Sequence, residues 1–237
     1  MATFQGLIRR NIINANVQFE KLGHITNNIS NQNTTGYKAV HFEQILTEDG
    51  YLDGVVRADH RPSTLLITDN KFDFGINGQG YVPVTSPTGD VKYTRDGAMK
   101  QNKDGYLITT DGYLIGDGIK LPINYSDFWI KNNGDVMVAQ KFGDKPYKVG
   151  TIPIVNFQNP NELKAVDGNK YIPTYESGEP VLIMNHDRIE HQKLETSNEN
   201  IVADTNRVMR LNASMLASFQ LLKTINDMYD KSIRLQN

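Results

Sequence analysis

The two ends of the chain contain no proline, and this contrast with the middle most constrains the fold. All nine prolines, and all but three of the 19 glycines, lie between Gly50 and Pro180. Residues 1–38 and 190–237 therefore lack the residue that breaks helices, and both carry apolar side chains at helical spacing. Because an isolated helix is only marginally stable in water, we expect each end to need a partner surface.

The first segment predicts one long helix from about Thr3 to Ser30. Its apolar side chains recur at steps of three and four, as one face of a helix requires. They include Ile8, Ile12, Ala15, Phe19, Leu22, Ile25 and Ile29. The asparagine-rich run 27–33 and Gly36 predict the end of the helix, because asparagine competes for backbone hydrogen bonds and glycine adopts left-handed conformations.

The last segment predicts a second long helix, since the chain has neither glycine nor proline from Ile189 onward. Its apolar stripe approaches the heptad spacing of a coiled coil. The stripe includes Val208, Leu211, Met215, Phe219, Leu222, Ile225 and Tyr229. We expect Ser197 or Asn198 to cap this helix, with Ile201 as an early apolar contact. Both stripes could instead pack as ordinary core helices against the middle of the chain.

The middle of the chain, residues 71–185, predicts antiparallel β-structure. Short apolar runs alternate with Asp-Gly and Asn-Gly pairs, which are typical of hairpin turns. The pairs begin at Asn77, Asp96, Asp104, Asp111, Asp117 and Asn133. We expect Pro83 and Pro153 at strand edges or bulges, because proline cannot donate a hydrogen bond to a neighbouring strand.

Composition argues against several functions. A net charge of -2 and a pI near 6.2 provide no basic surface for nucleic acid. The absence of cysteine excludes disulfides, thiolate metal sites and a cysteine nucleophile. No stretch approaches the roughly 18 apolar residues of a membrane span. Arg9 and Arg10 are followed by asparagines, so the expected protein has no cleaved secretory signal.

Candidate chemical sites are weak. None of the five histidines pairs with another at the spacing of a helical metal site, and turn formation explains Asp111 and Asp117 without calcium. The sequence offers no recognisable nucleophile and base pair. We therefore expect no enzyme activity: no catalytic residue, no cofactor and no metal.

Ordered motifs along the chain resemble those of the bacterial flagellar rod and hook proteins. The first signature comprises Leu22, Ile25, Asn27-Asn28-Ile29, Asn31, Asn33-Thr34 and Gly36-Tyr37-Lys38. The second comprises Leu194-Glu195, Ser197-Asn198 and Ile201-Val202. The middle adds Ile76-Asn77-Gly78, Tyr93-Thr94-Arg95, Asp104-Gly105-Tyr106-Leu107 and Gly112-Tyr113. Asn212-Ala213-Ser214-Met215 departs from the family pattern, which leaves the proximal or distal position in the rod open.

The resemblance implies an α+β fold with three parts. Long N- and C-terminal helices would pair in a coiled-coil-like inner domain made of residues 1–38 and 190–237. Residues 39–70 would connect it to a mainly antiparallel β outer domain, residues 71–189.

The resemblance also implies a function. The chain would be a structural subunit of the flagellar basal-body rod, the periplasm-spanning helical drive shaft that transmits torque for motility. Its partners would be copies of itself, other rod and hook proteins, and the type III export apparatus, with no nucleic acid and no membrane insertion. The alternatives are a hook subunit of the same family and a β-rich adhesive or carbohydrate-binding module.

The residues expected at the assembly interface belong to the two stripes and the two signatures. They are Ile12, Phe19, Leu22, Ile25, Asn28, Ile29, Asn31, Asn33, Gly36, Tyr37, Leu194, Ser197, Asn198, Ile201, Leu211, Met215, Leu222 and Ile225.

Overall fold

A computed structural model of the chain describes residues 4–48, 51–166, 169–184 and 187–235. It has one long helix at each end and mainly antiparallel strands between them, so the predicted α+β class is confirmed. The helices are α1 (Phe4–Ser30) and α2 (Ile201–Leu235). The strands are β1 (Val40–Leu46), β2 (Leu52–Ala58), β3 (Leu65–Ile67), β4 (Phe74–Ile76), β5 (Val82–Thr85), β6 (Val91–Thr94), β7 (Met99–Gln101), β8 (Leu107–Thr109), β9 (Leu114–Ile115), β10 (Asp127–Ile130), β11 (Asp135–Ala139), β12 (Tyr147–Thr151), β13 (Val155–Asn156), β14 (Lys164–Val166), β15 (Lys170–Ile172), β16 (Val181–Leu182), β17 (Ile189–His191) and β18 (Lys193–Glu195).

The chain divides into two compact units. The helical unit contains α1, the hairpin β1–β2 and α2. The β-rich unit spans 31–39 and 59–199 and holds the remaining strands. This division differs from the expected one in several places. Residues 31–38, expected with the helices, and residues 59–70, expected in the connecting segment, belong to the β-rich unit. The hairpin, expected within a connecting segment, groups with the helices, and the segment after residue 189 forms β17 and β18 before α2 begins.

Strand pairing explains why residues 189–195 are not helical. β17 pairs with β4 and β18 pairs with β3, both antiparallel. Ile189 and Glu195 are both fully buried. A segment without helix breakers still becomes a strand where neighbouring strands offer unpaired edges and buried positions.

The start of α2 corrects the expected cap. Asn200 caps the helix, because its Oδ1 accepts a hydrogen bond from the Ala203 backbone N–H at 3.0 Å. The predicted caps have other roles. Ser197 Oγ accepts from the Glu199 N–H at 3.2 Å, and the Asn198 side chain binds the backbone of the β-rich unit.

A seven-stranded antiparallel sheet forms the centre of the β-rich unit, in the order β14–β15–β6–β5–β9–β8–β7. Beneath it lies an apolar core that includes Val84, Leu107, Ile115, Val136 and Ile152, none of which is exposed. The burial of such apolar side chains is the main contribution to the stability of the unit.

Pro83 lies in β5, an inner strand, and not at an edge or bulge as expected. Its carbonyl accepts a hydrogen bond from Gly116 N at 2.9 Å, so its nitrogen faces the same neighbour. That neighbour, β9, ends at Ile115, one residue before the contact. The backbone N–H that proline lacks would therefore face a position beyond the end of β9.

The Asp-Gly and Asn-Gly pairs mark left-handed turns at most of the predicted places. Gly78, Gly105, Gly112, Gly118 and Gly134 all have φ between +87° and +105°. Gly97 is the exception, because it has no positive φ and serves close approach instead. A Cβ at this position would lie 1.7 Å from the Phe74 carbonyl oxygen.

We predict that Gly97→Ala destabilises the β-rich unit by about 2–4 kcal/mol, because backbone must move to make room for the methyl group. The matched control is Gly89→Ala, which has φ +94° but open space around the added atom. It should cost only about 1–2 kcal/mol of left-handed strain. Urea unfolding of both variants measures the difference, and equal midpoints would contradict the close packing at Gly97.

Candidate functional site

A buried carboxylate in the β-rich unit binds two buried cations. Glu195 Oε1 accepts a hydrogen bond from Lys38 Nζ at 2.8 Å, and Oε2 accepts one from Arg95 Nε at 2.7 Å. All three side chains are at most 1% exposed. The Ser63 N–H also donates to Oε1 at 2.7 Å. Hydrogen bonds between ionised groups are short and strong. Because these groups are removed from water, each charge needs a partner to offset the cost of its burial.

Further donors of the two cations bind backbone carbonyls. Arg95 donates through Nη1 to Gly80 O at 2.6 Å and through Nη2 to Gly78 O at 2.9 Å. Lys38 Nζ donates to Arg61 O at 2.7 Å. Burial lowers the pKa of Lys38, and the Glu195 carboxylate opposes that shift. Every nitrogen and oxygen atom of the three charged groups therefore has at least one hydrogen-bond partner, as buried charges require.

This cluster brings together the three groups of family motifs. Lys38 ends the first signature, Arg95 belongs to the central motifs and Glu195 opens the second signature. The motifs include these three residues, but the sequence alone did not predict that they contact one another. The signal available was that each of these three motifs contains one charged residue among apolar or turn-forming residues.

Backbone bonds tie the first and second signatures side by side. Gly36 N donates to Glu195 O at 2.8 Å. The Ala39 N–H donates to Asn198 Oδ1 at 2.7 Å, and Asn198 Nδ2 donates to Asp59 O at 2.7 Å. Gly36 has φ +67°, and a Cβ there would lie 2.7 Å from Asp96 N, so only glycine fits.

A neutral histidine lies beside the charge cluster. His60 Nδ1 and the Tyr81 hydroxyl are hydrogen-bonded at 2.7 Å. Burial, with the positive charges of Lys38 and Arg95, lowers the pKa of His60 from 6.5 to about 4, against the opposite effect of Asp59. The imidazole is therefore uncharged at neutral pH.

In the helical unit, Asn28 joins α1 to the hairpin and to α2. Its Nδ2 donates to Val40 O at 2.9 Å, while its Oδ1 accepts from Val40 N at 2.9 Å. Nδ2 also lies 3.2 Å from Asp204 Oδ2 on α2. Asp204 is fully buried and also accepts from Arg207 Nη1 at 2.5 Å. Sequence reasoning missed Asp204, since an acidic residue in the first turn of a helix usually serves only the helix dipole.

Apolar contacts between α1 and α2 surround this polar group. Ile25, Leu211 and Met215 are buried together, with Leu22, Ile29 and Val208 packed against them. Gln18 Nε2 donates to Ser214 Oγ at 3.3 Å. The two predicted stripes therefore meet over part of their length.

Other predicted interface residues lie on the surface of the helices. Ile12 is 51% exposed and Phe19 is 53% exposed on α1. On α2, Ile201 is exposed, while Leu222 and Ile225 are half-buried. Further exposed apolar side chains on α2 are Val202, Met209, Leu216, Phe219, Leu221, Met228 and Tyr229. Large exposed apolar patches on proteins commonly coincide with interaction sites.

The signature residues divide between the two units. Asn31, Asn33, Gly36, Tyr37, Leu194, Ser197 and Asn198 lie in the β-rich unit. Gly36 and Tyr37 are buried, Asn33 is exposed and the others are half-buried. The two signatures are held together by the bonds of Gly36 and of the Asn198 side chain described above. In addition, the Asn198 N–H donates a hydrogen bond to Tyr37 O at 3.4 Å.

Within the described parts of the chain, no group of three or more histidine and carboxylate side chains is arranged to hold a metal ion. The described helices also include none with the length and apolar character needed to cross a membrane.

Comparison with known proteins gives consistent matches. Residues 75–138 match the family model of the flagellar hook protein FlgE/F/G D1 domain. The chain is 33% identical over 183 residues to the flagellar basal-body rod protein FlgG of Caulobacter vibrioides, covering 67% of this chain and 70% of the relative. It is 29% identical over 233 residues to FlgG of Agrobacterium fabrum, covering 86% and 89%. It is 27% identical over 224 residues to the rod protein FlgF of Mesorhizobium japonicum, covering 90% of each chain.

We predict that Glu195→Gln lowers the free energy of unfolding of the β-rich unit by about 3–5 kcal/mol, because two buried cations lose their counter-charge. The control is Glu190→Gln, whose partly exposed pair with Lys193 should contribute less than about 1 kcal/mol. Urea unfolding at neutral pH compares the two, and a similar small loss in both would contradict a stabilising role for the cluster.

We predict that His60 makes stability depend on pH between 6.5 and 4. Since the unfolded chain binds a proton at His60 near pH 6.5 and the folded chain only near 4, its contribution is complete above 6.5 and is lost as pH falls. His60→Gln should therefore flatten the slope by up to about 1.4 kcal/mol per pH unit. Urea unfolding at pH 7 and pH 5 measures it. Tyr81→Phe, which keeps the imidazole, should lower stability and keep the slope, and parallel slopes for His60→Gln and the unmodified chain would refute the assignment.

Proposed function

The chain belongs to the family of flagellar basal-body rod proteins, and on that premise we propose that it is a structural subunit of the bacterial flagellar basal-body rod. In this role it assembles with copies of itself and with other rod and hook proteins into the helical drive shaft. It transmits torque through packed interfaces and carries out no catalysis.

The observation that carries the proposal is the exposed apolar surface of the two long helices. Ile12 and Phe19 on α1, and Leu216 and Phe219 on α2, remain about half exposed or more while neighbouring positions pack between the helices. Apolar side chains in such numbers need a further partner in water. Copies of the same chain provide one, and contacts that do not close into a ring generate a helical filament.

We further propose a division of labour between the parts of the chain. The paired helices form a coiled-coil-like inner domain that assembles, and the β-rich part forms the outer domain. The predicted interface residues act in these contacts either directly, as Phe19 does, or by fixing the segments that connect the parts, as Gly36 and Asn198 do. The buried charge cluster of Glu195 keeps the β-rich unit rigid enough to bear load.

Export and location follow from the same role. We propose that the chain reaches the periplasm through the flagellar type III apparatus without a cleaved signal peptide. Terminal helices that gain much of their apolar contact only in the assembly should be largely unfolded before it, which suits passage through a narrow channel. Limited proteolysis of the monomer tests this, because the terminal segments should be cut before the β-rich unit.

A hook subunit is the second candidate, since the matching family model carries the name of a hook protein as well. Electron microscopy of basal bodies from cells that lack the gene separates the two. A structure that stops within the rod supports the proposal, and a complete rod without a hook supports the alternative. A complete rod and hook would overturn both.

We predict that Phe19→Asp prevents rod assembly while leaving the urea unfolding of the β-rich unit unchanged. The side chain is 53% exposed, so the carboxylate is solvated in the monomer but would be buried without a partner in the assembly. Ile123→Asp is the control, because Ile123 is 94% exposed in the β-rich unit and should tolerate the change. Motility and counts of complete basal bodies measure the effect, and normal rods from Phe19→Asp would contradict assembly through the helices.

A further inference from the structure

A groove in the helical unit is lined by both long helices and by β1. Its volume is about 540 Å³. Its apolar lining includes Ile25 and Leu211 from the helices and Phe42 from β1. A groove of this size accepts a few side chains of another protein segment rather than a single ion.

The charges around the groove are mainly positive. Lys21, Arg207 and Arg210 line it, and Glu43 is the acidic residue among its lining. Arg207 is paired with Asp204. Lys21 and Arg210 have no ion-pair partner among the residues that the structure describes. The groove therefore suits a segment that carries carboxylates next to an apolar side chain.

The tip of the β1–β2 hairpin has this chemistry. Residues 46–53 contain Glu48, Asp49 and Asp53 and no basic residue. At the described part of the tip, Glu48 and Asp53 are exposed. The preceding Leu46 is 71% exposed, so an apolar side chain accompanies the carboxylates.

The hairpin cannot place its own tip in its own groove. Val40 to Gln44, at the base of β1, line the groove, and β1 pairs with β2 in unbroken register from Val40↔Ala58 to Leu46↔Leu52. Glu48 lies six residues beyond Phe42, about 20 Å along an extended strand. The tip is therefore directed away from the groove that its base lines.

We propose that the groove of one copy binds the hairpin tip of a second copy, with Arg210 and Lys21 facing Glu48 and Asp53. This inference rests on the proposed function, because it names the contact by which the helical units of neighbouring copies recognise one another. Groove and tip are different surfaces of the same chain, so the contact is head-to-tail. Repetition of such a contact extends a helical array without closing it.

Cross-linking tests the contact in the assembled state. The chain has no cysteine, so an E48C/R210C variant offers only the two introduced thiols. A short bis-maleimide is the reagent, since residues joined by long side chains are too far apart at Cα for a disulfide. Basal bodies isolated from cells that express this variant should yield a ladder of covalent oligomers of the chain.

The control for the ladder is E48C/K223C, because Lys223 is exposed on the same helix and does not line the groove. It should give no ladder. A cross-link within one chain, a cross-link only to a different protein, or equal ladders in both variants would overturn the proposal.

Charge exchange tests the same contact without a reagent. R210E alone and E48K alone should each reduce the number of complete rods at least about tenfold, because each places like charges face to face. R210E and E48K together in one chain restore the attraction and should recover most of the rods. K223E with E48K should show no recovery. Normal rods from R210E, or no recovery in the double variant, would refute the pairing.

The groove contact and the rod function can be tested separately. If Phe19→Asp prevents assembly while R210E assembles normally and E48C/R210C gives no ladder, the groove assignment is wrong and the rod function stands. If isolated basal bodies do not contain the unmodified chain, the proposed function itself fails.

Discussion

The β-rich unit depends on the one carboxylate that Lys38 and Arg95 share. Lys38 lies 57 residues before Arg95, and Arg95 lies 100 residues before Glu195, so their contact fixes the positions of three distant segments at once. Buried ion pairs add little net stability, because the cost of removing charges from water offsets much of the attraction. Their value lies in permitting one arrangement, since any shift of a strand leaves an unpaired charge in the interior. We therefore expect the cluster, together with the backbone bond from Gly36 to Glu195, to favour the register in which β18 pairs with β3.

Asparagine side chains extend the same principle to the backbone. Asn28 both donates to and accepts from Val40, and Asn198 accepts from Ala39 while it donates to Asp59. A side-chain amide has the same donor and acceptor as a peptide group, so it can replace a missing strand partner where the chain turns. This explains why asparagine is frequent where the helices end, although the sequence pattern alone suggested only a stop signal.

Local patterns predicted local structure well. The apolar spacing predicted α1, and the asparagine-rich run 27–33 with Gly36 placed its end at Ser30, where the structure has it, because both signals depend on residues close in sequence. Turns at most Asp-Gly and Asn-Gly pairs were predicted correctly as well, because a turn signal lies in adjacent residues. Contacts between distant residues were not predictable. The residues around Gly97 do not indicate its close contact with the Phe74 carbonyl, and those around Asp204 do not indicate its contact with Asn28. The pairing of residues 189–195 depends on strands more than 100 residues earlier in the chain. Among the candidate site residues, the pattern identified which side chains are apolar but not which of them the partner helix would cover.

The amide of Asn198 has a consequence for how such proteins diversify. It joins Ala39, Asp59 and its own segment at one point of the β-rich unit, and Asp59 N also donates to Ala39 O at 2.8 Å. The hairpin is therefore an excursion that leaves at residue 39 and returns beside it at residue 59. Lengthening a loop whose ends are already held together adds only a small entropic cost. A change of length near the tip of that excursion, away from the bonds of Val40 to Asn28, therefore need not move the strands of the β-rich unit.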